Sequence, residues 1–141
     1  MKRAILLLCC LISVLCVVSC AGGTKYGIRE LADVMEKANK RMEEIKSADD
    51  LADLTTNLKN ELISLEPKLN RLKADYPGFF SGKPDVNFLP EGVSAEDLNK
   101  LLKEVETFNS YSTTQRLEWA NDSVVLKATE EFKKVYHEIF R

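Results

Sequence analysis

The chain has 141 residues, 45% of them apolar and 30% charged, with a formal net charge of −2. That length predicts one domain. The apolar fraction excludes a disordered tail, and the charge balance excludes a nucleic-acid binder that relies on bulk basicity.

All four cysteines (Cys9, Cys10, Cys16 and Cys20) fall within the first twenty residues. Lys2 and Arg3 precede an apolar run over residues 4–18. As a helix those fifteen residues measure ~22 Å, short of the ~20 residues a membrane span needs. Positive start and apolar length together fit a secretory signal better than a permanent anchor. The run ends in Val17, Val18, Ser19 and Cys20, followed by Ala21, Gly22 and Gly23. This ending resembles the lipobox of bacterial lipoproteins, in which two aliphatic or small residues and one small residue precede a cysteine. The resemblance covers residues 1–20 alone. It implies cleavage before Cys20, a diacylglycerol on its thiol and acylation of its new amine. Two or three acyl chains exceed what stable anchoring requires. Ala21 in place of an aspartate implies, by the enterobacterial sorting pattern, the outer membrane, on its periplasmic or surface face.

Under that reading residues 1–19 are the signal peptide and residues 20–27, with three glycines and no apolar period, are a lipidated flexible tether. Cys9, Cys10 and Cys16 leave with the signal and Cys20 carries lipid, so the mature domain holds neither disulfide nor thiolate metal ligand. Losing Lys2 and Arg3 leaves 18 of the 20 basic residues against 22 acidic ones, a mildly acidic side-chain net of −4.

Residues 28–141 read as an all-α domain, an antiparallel bundle of three to four helices without strands. Ile28, Leu31, Met35, Ala38, Met42 and Ile45 follow steps of three and four, the stripe of an amphipathic helix. Ser47 with Asp50 then matches a capping box. The stripe resumes out of phase at Leu51, Leu54, Leu58, Leu62, Leu65, Leu69 and Leu72. The cap and the phase slip argue for a new helix, while the absence of Gly or Asn at the junction leaves one bent helix over 28–75 open. Pro67 cannot donate to the Ile63 carbonyl and predicts a kink. Ser94 with Asp97 is a second capping box, followed by Leu98, Leu101, Leu102, Val105 and Phe108. Poor helix formers over 109–114 predict a bend or break there. A last stripe passes through Leu117, Ala120, Val124, Ala128, Phe132, Val135 and Ile139.

Residues 76–93 stand apart. They hold three of the four prolines and four of the eleven aromatics, and their length of 18 exceeds the usual connection of ~2–8 residues in a bundle. Tyr76, Phe79, Phe80 and Phe88 are the candidate partner-binding residues, as an exposed aromatic patch for an envelope protein, a glycan or a lipid. The competing reading folds them back to plug one end of the bundle.

No catalytic, cofactor or metal site is legible. His137, the only histidine, has Lys133 and Lys134 one turn back and reads as a surface residue. Asp49, Asp50 and Asp53 lack the glycine and distal glutamate of a calcium loop and suit a helix N-terminus instead. Glu43 and Glu44, like Glu130 and Glu131, point ~100° apart on a helix and read as solvated charge. Ser110 to Thr114 reads as a helix junction or a polar contact surface. Asp122, Ser123 and Val124 resemble a short O-glycosylation sequon of some anaerobic Gram-negative bacteria, with a helix cap as the alternative.

The expected function is a non-enzymatic, lipid-anchored envelope protein that binds another envelope component. In architecture it resembles the small helical lipoproteins of Gram-negative bacteria. Two alternatives stand beside it. One is an oligomerising module pairing through the stripe over 28–45; the other is a carrier of a small apolar ligand, which predicts a sizeable cavity.

Overall fold

The structure, a computed structural model, describes residues 25–80, 87–114 and 116–140, with side chains omitted over 112–117. The signal peptide, Cys20 and the tether as far as Thr24 lie outside the described residues. Among the described residues there are five helices: α1 (Ile28–Glu43), α2 (Ala48–Asp75), α3 (Ala95–Thr114), the single turn α4 (Arg116–Trp119) and α5 (Ser123–Phe140). Among the described residues there is no strand, so the domain is the expected all-helical bundle.

The junction between the first two stripes is a true break. Glu44 N–H donates to the Arg41 carbonyl and ends α1. The Ser47 hydroxyl then accepts from Asp50 N–H at 3.1 Å, and Asp50 reaches back to Lys46 N–H at 3.0 Å. One orphan donor of α2 and the Lys46 N–H just before its cap are satisfied by this exchange. All seven leucines of the second stripe are buried, and α2 continues through Pro67. That proline sits on the exposed face.

Packing starts earlier in the chain than the glycine-rich composition suggests. Tyr26, assigned from sequence to the tether, is 1% exposed. Its hydroxyl donates to Asp75 at 2.8 Å, and its ring meets Tyr76 edge-on. Gly27 adopts φ 73°, and a Cβ there would stand 3.1 Å from Lys68 Cβ. Left-handed backbone and close approach both call for glycine at this point. Any free tether therefore ends before Lys25.

The polar sequence over 109–114 does not break α3. Thr107 and Ser110 hydroxyls bond back to the Lys103 and Thr107 carbonyls, within the helix. Such back-bonding keeps these side chains compatible with helical backbone. α3 ends at Thr114, beside the expected break, and the chain turns again over 120–122, where Asp122 accepts from Val124 N–H at 2.9 Å and caps α5. The cap reading of Asp122 holds, and Ser123 is exposed behind it. The last stripe holds on α5 at Ala128, Phe132, Val135 and Ile139, all in or against the core, but Val124 is 48% exposed and Val125 takes its place.

Consecutive long helices alternate in direction, but the main interfaces are parallel. Arg29–Asp97, Lys100–Asp33, Asn39–Glu104 and Tyr111–Glu43 run in step down α1 and α3. Lys59–Glu131 and Lys73 to the Ile139 carbonyl run in step along α2 and α5. With α1 also against α2, the helices lie in the order α3, α1, α2, α5. The 76–93 connection joins α2 to α3, which do not adjoin. Burying side chains such as Ile28, Met42, Leu69, Leu98 and Ile139 contributes ~1.5–3 kcal/mol each.

The α1–α3 seam makes an electrostatic prediction. Lys100 reaches Asp33 at 2.6 Å and Glu36 at 2.8 Å. Hydrogen bonds from Lys100, then Lys40, hold the Glu36 carboxyl down at about 2, and the same acids raise Lys100. A depressed carboxyl favours the fold above its ordinary range, and that contribution fades as pH falls toward about 2. Lys100→Met is expected to move the Glu36 titration upward, with Lys40 retaining part of the depression. NMR titration of the side-chain carboxyl reads this directly; an unmoved Glu36 would mean that Lys100 does not hold it.

Candidate functional site

Four helices in this order leave one side incompletely closed, because α3 and α5 form no interface comparable to the other three. An apolar cleft of about 460 Å³ occupies that side. Leu31 and Met35 of α1, with Leu58 and Leu62 of α2, form its floor. One wall is the face of α3 from Leu98 to Asn109, including Leu102 and Val105. The other wall is the ridge Phe132, Tyr136 and Phe140, three side chains one turn apart on α5. The volume falls within the ~300–1,000 Å³ of ordinary small-molecule sites.

The ends of the cleft differ. Tyr26–Asp75, Arg29–Asp97 and Lys73–Ile139 place the starts of α1 and α3 and the ends of α2 and α5 together. At this end Phe80 meets Phe140 edge-on, with centroids 5.0 Å apart, and Phe79 meets Phe80 at 5.1 Å. Asn109 and Lys133 line the cleft farther along, about 16 Å down α3 from Leu98 and about 10 Å down α5 from Phe140. Lys133 is the only charged residue lining the cleft among the described residues. No ion pair engages it there.

The four aromatics singled out in the sequence divide. Phe79 and Phe80 are half-buried, pack on the core and line the cleft. Tyr76 lies outside the cleft; its ring packs on Tyr26 and its hydroxyl accepts from Glu91 N–H at 3.2 Å. Phe88 is 83% exposed and takes no part in the lining. The structure thus does not gather a single four-residue aromatic patch. It builds two packed pairs and leaves one exposed ring.

The remaining candidates are spread apart. Asp50 belongs to the cap of α2, and Asp49 and Asp53 are exposed on the same helix start. His137 is exposed, with its ring 6.0 Å from that of Tyr136. Among the described residues no group of three His, Cys, Asp or Glu converges as a metal site. No helix among them is long and apolar enough to cross a membrane. The heptad face of α1, a candidate for pairing between chains, is buried within this one.

Only part of the cleft walls is legible in the sequence. Phe132 and the α3 wall belong to stripes legible in the sequence, whereas Tyr136 and Phe140 lie beside the core stripe of α5. A single helix can carry two apolar faces, and periodicity alone does not say which one meets a neighbour.

Comparison of the chain with protein-family models, with curated proteins and with solved structures gives no match.

Proposed function

We propose that this chain is a lipid-anchored, non-enzymatic binding protein of the cell envelope, and that it holds an apolar group in the α3–α5 cleft. The observation that carries the binding reading is the cleft itself. Its floor is aliphatic, its walls are aromatic and aliphatic, and both Phe79 and Phe80 close one end. Apolar surface left open to water favours an occupant by roughly 25 cal/mol per Å² covered. The carrier alternative and the binding-module reading therefore converge on one site. The oligomerising alternative loses its nominated surface, because the α1 stripe is already covered by α2 and α3.

Anchoring rests on the lipobox resemblance at Cys20. It agrees with the position of Lys25 and Tyr26 at the end of the bundle that also holds Tyr76, Phe79 and Phe80. Five residues from Cys20 to Lys25 span at most ~17 Å, so a lipid at Cys20 would keep this end near a membrane.

Two measurements test the reading. Cys20→Ser is expected to release the protein from membranes or leave its signal uncut; a lipid-labelled, membrane-bound Cys20→Ser product would overturn the anchor. The unlipidated chain from Ala21 onward is expected to enhance Nile red emission, and Val105→Trp, which fills the cleft, to abolish the enhancement with the melting temperature maintained. Equal enhancement by the two proteins would place dye binding elsewhere.

A further inference from the structure

We propose that the occupant of the cleft is a single-chain fatty acid, its tail lying along the α3–α5 walls toward Phe79 and Phe80 and its carboxylate beside Lys133. The assignment rests on reading the cleft as a binding site and adds the ligand class to it.

Size comes first. A helix is ~10 Å across, so about one turn of a partner helix would fill 460 Å³. One turn presents too few side chains to fix a register. Spread over the ~16 Å from Leu98 to Asn109, the same volume has a mean cross-section of about 28 Å², the girth of one extended polymethylene chain and not of two. The lining suits such a tail. Leu102, Val105, Tyr136 and Phe140 present carbon to the ~10 Å of it that runs from Lys133 to Phe140.

Charge decides the head. Lys133 is exposed, faces the cleft and makes no ion pair among the described residues. Most other lysines near the bundle seams have partners: Lys59 holds Glu131, Lys68 holds Glu30 and Lys100 holds Asp33 and Glu36. A site lined by one cation and no anion is complementary to a monoanion. It lies away from the aromatic end, which separates head from tail as an amphiphile requires. A fatty carboxylate meets both conditions, whereas a neutral lipid leaves Lys133 without a function in the site.

The test uses the intact, lipid-anchored chain in phosphatidylcholine vesicles, at a pH where the acid is ionised. It is irradiated with diazirine-bearing hexadecanoic acid or the matching hexadecanol, and labelled peptides are mapped by mass spectrometry. The acid is expected to label the cleft faces of α3 and α5 about two- to fivefold more than the alcohol at low salt. That preference is expected to fall to about one in Lys133→Met and at high salt. Val105→Trp, or Leu102→Trp should the first variant melt early, is expected to remove labelling by both probes. Equal labelling by acid and alcohol would overturn the carboxylate assignment while leaving an apolar site. Labelling of the cleft by neither probe would overturn the site as well. A preference unchanged in Lys133→Met would remove the lysine from it. Labelling by the acid only in Cys20→Ser would mean that the chain's own acyl group fills the cleft, and would overturn the proposal.

Discussion

Leu58→Asp is expected to destabilise the domain by about 3–5 kcal/mol and to lower the melting temperature by about 10 °C or more. Leu58 is 4% exposed and sits where α1 and α2 meet beneath the cleft. A carboxylate there exchanges water for Leu31, Met35 and Leu62, none of which can donate a hydrogen bond. Its pKa must rise or the helices must part, and both outcomes cost stability. Ile63→Asp is the matched control. It adds the same charge five residues on, at a side chain 46% exposed, and is expected to change stability by no more than about 0.5 kcal/mol. Urea unfolding of the two variants measures the difference. A small loss at Leu58 would mean that the cleft floor is wet, and the cleft would then be a poor site for an apolar chain.

Arg29→Met is expected to lower the stability of the domain at neutral pH and to matter much less in acid, below the lowered Asp97 value. Arg29 clasps Asp97 with two hydrogen bonds, Nε to Oδ1 at 3.0 Å and Nη2 to Oδ2 at 3.2 Å. The Asp97 side chain is 11% exposed and that of Arg29 is 53% exposed, so the acid is the member left stranded. The Arg29 guanidinium, opposed by burial and helped by Ser94, holds the Asp97 carboxyl below its usual value. The sign follows from that depression. The ion pair supports the fold above the ordinary aspartate range, and its support disappears as pH falls through the lowered value. Without Arg29 the buried carboxylate is penalised at neutral pH, and protonation relieves the penalty. Parent and variant stabilities should therefore converge in acid. Denaturation at the two pH values tests this; a gap that persists in acid would mean that Arg29 acts through packing of its methylene stem.

Both predictions concern elements that differ in how far local sequence reveals them. The α2 stripe was readable to the residue, because seven leucines at steps of three and four have one face to bury and Ser47 marks the start. The α3 cap at Ser94 was equally local, since its partner Asp97 lies three residues on. The role of Asp97 toward Arg29 was not, because the partners are 68 residues apart. Tyr26 was misassigned for the same reason: its short glycine-rich surroundings suggest freedom, and only Asp75 and Tyr76, about 50 residues later, hold it in place.

The two dark-horse aromatics, Phe79 and Phe80, show where the boundary falls for the candidate site. Their presence in a long Pro- and Gly-containing connection was evident, but whether they project or fold back depends on Phe140 arriving from the far end of the chain. Sequence alone determined helix content, two N-caps and the α2 core face, because each depends on residues within a few turns of one another. Tertiary structure decided that α1 adjoins α3 and α2 adjoins α5, and hence that one side of the bundle stays open as the cleft. That choice depends on which apolar faces fit together across the chain, a comparison of long-range packings to which the period of any single helix is indifferent.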